Sequence, residues 1–330
     1  MIRYVIKRLL AAVLTLFAIS VTTFAFFFLG PANPAAGMCG ARVCPPERIA
    51  VINHWLELDQ PVLTQYSHYM SGLFVGRTVG TGPEAIRCDA PCFGLNFRTN
   101  EPVSATLARG LPITVSLAAG TAVVSVLLGV GLGVVSALRQ GGWIDKFSIG
   151  FTLVGASTQS FFLGLLLQGV FVYQLGWLPR AEYVSPMVSP GRWFAGMFLP
   201  WLTLGLLNAA IFARLARSEM VELLPEDFVR TARAKGVRSR TISVRHVLRA
   251  GLSPILTLLG IQLGGTLGGF VIAEAVFGMN GLGRLAVTAA DQQNLPVIMA
   301  VVLIGAVFVV LVNLATDLVY SVLDPRVRTG

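Results

Sequence analysis

"LPEDFVRTARAKG", residues 224–236, is a charged stretch in a chain whose mean hydropathy is +0.73. It holds Glu226, Asp227, Arg230, Arg233 and Lys235 in close succession, whereas the 330-residue chain is 55% hydrophobic and only 12% charged. A soluble globular domain carries about 25% charged residues. So low a charge content places most of the chain in lipid, and residues 224–236 then read as part of a loop between spans.

Working outward from that loop, six apolar stretches approach the ~20 residues that cross a hydrocarbon core. They fall near 9–29, 111–138, 149–173, 198–214, 252–277 and 297–323. The fourth is the shortest, and the fifth is diluted by glycine, which membrane helices tolerate. The expected fold class is all-α: a polytopic membrane protein with six transmembrane helices. "IRYVIKR" before the first span would suit a signal peptide. The apolar run that follows exceeds an h-region of about 7–15 residues and no clear A-x-A site follows it, so it reads as an uncleaved anchor.

Lys and Arg near the span ends set the orientation. With the N-terminus inside, the inner segments collect Arg3, Lys7, Arg8, Arg139, Lys146, nine basic residues from Arg214 to Arg249, and Arg326 and Arg328. Both termini are therefore expected in the cytoplasm. The net charge of +9 is mostly this asymmetry, which leaves little support for nucleic acid as a partner. The chain divides into an inner N-terminus with the first helix (1–29), an outer segment (30–110) and a five-helix core (111–330) with an inner loop at 215–251.

The outer segment is too long to be bare loop. "PPERIAVINHWLELDQP" places Ile49, Ile52, Trp55 and Leu56 at helical spacing, and "LTQYSHYMSGLF" does the same with Leu63, Tyr66, Tyr69, Met70 and Leu73. Two short amphipathic helices follow, either capping the span ends or offering a docking surface outside. All four cysteines, Cys39, Cys44, Cys88 and Cys92, lie here and none lies in a span. That partition fits an oxidising exterior and two disulfides, in any of three pairings, of which 39–44 with 88–92 orders the least chain. A metal site is the rival, but neither pair has C-x2-C spacing and no His adjoins them.

Within residues 224–236, Pro225 suits the first position of a helix. Glu226 and Asp227 supply negative charge to its first turn, Arg233 and Lys235 positive charge to its last, and Gly236 the stop. Glu226 and Arg230 stand at i, i+4, a pair worth about 0.2–0.5 kcal/mol. Phe228, Thr231, Ala232 and the stem of Lys235 share one narrow face. A helix this short is marginal in water, so it must pack on something: its own span ends, or a groove on a cytoplasmic partner.

"EDFVRTARAKG" followed by "RHVLRAGLSP" resembles the EAA-type loop of binding-protein-dependent ABC transporter permeases. The likeness is to the B-type permease of dipeptide and oligopeptide importers, with which nickel permeases are grouped. "LDQPVLTQY", "PVSATLARGLPITVSLA", "FFLGLLLQGVF" with "LGWLP", "GGFVIAEAVFGMNGLGRLAV" and "LVNLATDLVYSVLDPRVR" agree in order from Leu58 to Arg328. The resemblance implies a permease core and a coupling helix made of Glu226, Asp227, Phe228, Arg230, Thr231, Ala232, Arg233, Ala234, Lys235 and Gly236. Arg230, Thr231 and Ala232 occupy the EAA positions. The implied partners are a second homologous permease, two ATPase subunits and an extracytoplasmic substrate-binding protein, in the cell membrane. The stretch from Thr78 to Cys92 is less familiar and looks like an insertion.

No G-x-x-x-x-G-K-[ST], HExxH or G-x-S-x-G is present, so the chain is expected not to be an enzyme. It should bind no cofactor or metal itself, ATP and Mg residing on the ATPase subunits. In the fifth span Gly260, Gly264 and Gly268 repeat at i+4 beside Gly265 and Gly269. This spacing admits close helix packing or a sliding interface. Glu274, Asn313 and Asp317 lie near span ends, where water can reach them, and are read as interhelical hydrogen-bonding groups rather than a proton relay. A secondary transporter would need paired ionisable groups near the midplane. Peptide is the implied cargo and nickel the alternative, though no span holds His or Cys.

Overall fold

The computed structural model describes residues 2–28, 45–55, 57–79, 86–96 and 98–323. Cys39, Cys44, Leu56, Arg326 and Arg328 lie outside the described residues. The elements are α1 (Ile2–Phe28), α2 (Pro46–Trp55), α3 (Val62–Val75), β1 (Arg77–Val79), β2 (Ile86–Cys88) and α4 (Val103–Leu138). They continue with α5 (Trp143–Ser157), α6 (Ser160–Gln174, its last turn π-helical), α7 (Pro190–Leu223) and α8 (Asp227–Ala234). α9 (Ser239–Ala250), α10 (Leu252–Val276), α11 (Leu282–Asp291) and α12 (Leu295–Leu323) complete the chain. Among the described residues four helices are long and apolar enough to cross a membrane, or up to six if each of two bent pairs is one span.

The bent pairs refine the expected spans. The third, at 149–173, is broken: α5 and α6 meet at 106°. Thr158 and Gln159 leave the helical region, with ψ of 131° and 141°. Beside the break, Ser157 Oγ donates to the Leu153 carbonyl (3.1 Å) and Thr158 Oγ1 to the Val154 carbonyl (2.8 Å), so both hydroxyls are satisfied within the helix end. α9 and the start of α10 bend by 55°. The fourth span runs well beyond 198–214, because Pro190 opens α7 behind Ser189 and an apolar face continues to Leu223.

The chain forms two compact units. In the unit of Met1–Thr114 and Asn280–Leu311, α1 meets α3 through Ser20, whose hydroxyl lies 2.8 Å from the Tyr66 hydroxyl, and Phe24, edge-on to the Tyr66 ring. β1 and β2 pair antiparallel, Arg77 opposite Cys88 and Val79 opposite Ile86. This two-stranded ribbon departs from a purely helical outer segment, and Val79, Cys88, Cys92 and Leu95 make a small core beneath it. Gly76 turns the chain from α3 into β1 at φ +79°, where a Cβ would stand 2.7 Å from the Cys88 carbonyl oxygen. Asn294 Nδ2 donates to Asn96 Oδ1 (2.7 Å), and the Leu282 N–H donates to Thr114 Oγ1 (2.8 Å).

In the unit of Val115–Met279 and Val312–Gly330, α7 is the central helix, with Met197, Leu199, Phe212, Ala213, Ala216 and Met220 buried. α5 turns Asp145, Ser148 and Thr152 inward, and Gly155 stands where a Cβ would meet Ala210 Cβ at 2.6 Å. Its other side carries Trp143, Phe147 and Phe151 in a stacked ladder, Trp143 being 79% exposed. Large apolar side chains left exposed in rows are what a surface facing lipid presents.

Candidate coupling site

α8 has eight residues and its capping is set by backbone rather than side chains. Glu226 is the N-cap residue (ψ 152°), so Pro225 stands before the helix instead of at its first position. Asp227 is the acid of the first turn and Arg233 the base of the last. Arg230 reaches Asp227 at i, i+3 (3.5 Å), where Glu226 was expected, because Glu226 is off the helical face. The pair is exposed on both sides and contributes little. At the other end Gly236 adopts φ +73°. Its N–H donates to the Arg233 carbonyl (2.9 Å) and the Val237 N–H to the Ala232 carbonyl (3.2 Å). These two bonds form a Schellman stop, and Val237 packs with Ala232 as that motif favours.

The inward face differs from the expected one. Val229 is fully buried among Ala137, Met220, Ile242 and Val247, with Ala232, Leu224 and Val237 around it. Phe228 is 42% exposed, and Thr231 and Lys235 are also exposed. The physical reason is phase. Val229, Ala232 and the capping Val237 meet one cluster contributed by α7 and α9, which turns Phe228 to the flank. Asp227, Arg230, Thr231 and Ala234 are exposed on the side away from Val229. So α8 is seated on its own unit by one side and presents a charged, unpacked side outward.

Sequence reasoning missed the polar lock at the same end. Arg217 on α7 donates from Nε to Asp145 Oδ1 (2.6 Å) and from Nη2 to Oδ2 (3.0 Å), a bidentate fork. Ser136 Oγ donates to Oδ1 (2.6 Å) and the Gly141 N–H to Oδ2 (2.9 Å). One carboxylate thereby joins the end of α4, the turn after it, the start of α5 and the last turns of α7, the helix that leads into α8. The signals were an Asp one turn past a Gly-Gly corner and an Arg inside an apolar run.

Close packing also sits elsewhere than expected. Gly260 fits: a Cβ there would meet Thr316 Cγ2 at 2.8 Å. Gly265 does not, since its Cβ position opens on empty space. Gly264 is half-buried, and Gly268 and Gly269 lie in α10 with their surroundings outside the description. The tighter crossing is between α4 and α7. A Cβ on Gly129 would lie 2.7 Å from the Ala209 carbonyl oxygen, and one on Gly133 2.6 Å from that of Ala213. Gly129 and Gly133, like Ala209 and Ala213, are spaced i, i+4, the small-xxx-small pattern. Glu274 is fully buried, against the expectation that water reaches it, while Asn313 is exposed. In the outer segment Cys88 and Cys92 are joined, their Cα atoms 5.5 Å apart as a disulfide requires.

Comparisons with known proteins agree on one lineage. Residues 129–329 match the family described as binding-protein-dependent transport system inner membrane component, and residues 1–118 match that family's N-terminal component. The chain is 36% identical over 328 residues to the glutathione transport system permease protein GsiC of Escherichia coli (strain K12), covering 99% of both chains. It is 35% identical to GsiC of Salmonella typhimurium at the same coverage. Among solved structures, an inward-facing MetNI methionine ABC transporter chain superposes with a TM-score of 0.54 at 17% identity, over 68% of this chain and 99% of that one; this likeness bears on the fold alone. Homologues of this kind are transport subunits, not enzymes. The chain belongs to the binding-protein-dependent transport family as an ABC-importer permease, a multi-pass protein of the inner membrane.

Proposed function

We propose that this chain is one of two homologous permease halves of an importer for short peptides, driven by ATP bound with Mg on two partner ATPase subunits. An extracytoplasmic binding protein hands substrate to the outer side. Both termini are cytoplasmic, residues 30–110 lie outside, and the Cys88–Cys92 bond belongs to that oxidising compartment. α8 is the coupling helix. Closure of the ATPases pushes it, and the push passes through Val229 to α7 and α9 and through Arg217–Asp145 to α4 and α5. These helices then shift between inward-open and outward-open arrangements.

The observation that carries this reading is the two-sidedness of α8. One buried valine seats it, while Asp227, Arg230 and Thr231 stand outward, exposed among the described residues. Short peptides are favoured because the full-length relatives are named for glutathione, itself a short peptide. Nickel is the alternative cargo.

The test is uptake by the complete transporter carrying Arg230→Glu or Gly236→Pro. Uptake should fall about tenfold or more, equivalent to at least ~1.4 kcal/mol of lost coupling, with ATPase subunits lost on purification. Unchanged uptake and unchanged co-purification would overturn the coupling role. Titrating the cognate binding protein with dipeptides, glutathione and Ni²⁺ decides the cargo, and tight binding of Ni²⁺ alone would replace peptide with metal.

A further inference from the structure

Behind α8, on the side away from Asp227 and Thr231, lies an open cavity of about 620 Å³. Its walls come from the end of α4, the end of α7, α8 and the start of α9. Arg139 and Arg233 both line it, together with Ser239 and with Ser243, whose hydroxyl already donates to the Ser239 carbonyl (3.0 Å), and no carboxylate lines it. Neither arginine is paired with an acid among the described residues. Arg233 follows Val229 by one helical turn and lines the cavity while remaining exposed. Leu138 and Val221 give the same cavity an apolar wall. Two unpaired cations and an apolar wall in one space suit an anion that carries hydrocarbon.

The surroundings identify the source. One turn beyond Arg139, Trp143 is 79% exposed and begins the stacked ladder with Phe147 and Phe151 that runs up α5. Exposed Trp at the end of an apolar helix marks headgroup depth. Arg139 therefore stands where lipid phosphates lie, and the cavity is larger than a bare phosphate needs. We propose that this cavity binds the phosphate of an anionic phospholipid between Arg139 and Arg233, behind the coupling helix. A bound lipid would brace α8 against α4, so that coupling strength would follow bilayer charge. The inference goes beyond the proposed function, because lipid retention is read without any transport.

The experiment places the complete transporter in nanodiscs of phosphatidylcholine with or without phosphatidylglycerol, then extracts it and measures retained lipid by native mass spectrometry. The intact protein should keep phosphatidylglycerol selectively. A basic side chain at an anionic surface contributes about 1 kcal/mol, so Arg139→Gln should weaken retention about fivefold and the double variant with Arg233→Gln about twenty-five-fold. Arg139→Lys should restore most of it, which separates lost charge from lost folding. Equal retention by all variants overturns the site. Displacement of the lipid by millimolar inorganic phosphate would mean a free-anion site and overturns the lipid assignment. If Arg139→Gln instead strips ATPase subunits from lipid-free complex, the cavity is a protein contact and the proposal fails.

Discussion

α8 in the inner loop and α3 in the outer segment are both short amphipathic helices, yet they are held by different means. α3 buries Gln65, Tyr69 and Gly72, receives the Cys92 N–H on the Gly72 carbonyl (3.2 Å), and sets Tyr66 edge-on to Phe24 of α1. A ribbon and a disulfide follow it directly, so the outer segment builds a small core of its own. α8 buries only Val229 and ends in a stop made by its own backbone. One helix is fixed from several directions; the other is held on one side, with Val229 its one buried side chain. An element pushed by a partner, as proposed for α8, needs a firm point of attachment and a free face.

The largest break in this comparison is expected at Val229. Val229→Asp places a carboxyl without a partner among Met220, Ile242 and Val247. Burying an unpaired polar group costs roughly 2–7 kcal/mol, more than a helix of this length can absorb. Residues 224–237 should lose amide-exchange protection and become the first site of proteolysis, while the outer segment stays protected. Val229→Ile should be nearly silent. If Val229→Asp leaves the loop protected, α8 is not hung from this residue.

The same contrast explains what the sequence could disclose. Length and hydropathy find the four helices long and apolar enough to cross, because crossing lipid demands both. They pass over the α5–α6 break since "STQ" at 157–159 is averaged into an apolar window. The helical stretch at α8 is legible from its end charges and Gly236. Its phase is not, because Phe228 outweighs Val229 in any local tally and the deciding partners, Ile242 and Val247, arrive only in the fold. Gly129 and Gly133 were as visible as Gly260 and Gly264, but no spacing states which helix carries the complementary alanines. Asp145 and Arg217 are 72 positions apart and share no local pattern.

A smaller effect is expected from the outer segment's own clasp. Cys88 and Cys92 close a loop of sequence separation 4. Chain-entropy reasoning assigns so short a loop about 2 kcal/mol. Cys88→Ser, or reduction of the intact protein, should loosen β1, β2 and the core around Leu95, seen as faster exchange there. Exchange across α8 should not change, and a matching rise in the inner loop would mean that the two regions are not independently held.

The smallest and sharpest test concerns Tyr69. Its ring is 5% exposed, its hydroxyl finds no hydrogen-bond partner among the described residues, and the Arg77 guanidinium sits 5.8 Å from the ring centre. Burial pushes the phenol above its ordinary value, with Arg77 pulling weakly the other way, and burial lowers the Arg77 guanidinium in turn. The folded protein therefore keeps the Tyr69 proton where the unfolded chain has begun to lose it, near pH 10. Above that pH the unfolded state binds fewer protons than the folded one, so stability falls as pH rises. Below it the contribution is constant. Tyr69→Phe keeps the ring under Arg77 and removes a hydroxyl that is desolvated for nothing. At pH 7 the outer segment should gain about 1 kcal/mol, and its loss of protection above pH 10 should flatten. A loss of stability at pH 7 would show instead that the hydroxyl has a partner in the assembled transporter, and that α3, as proposed for α8, leaves one of its contacts for another chain.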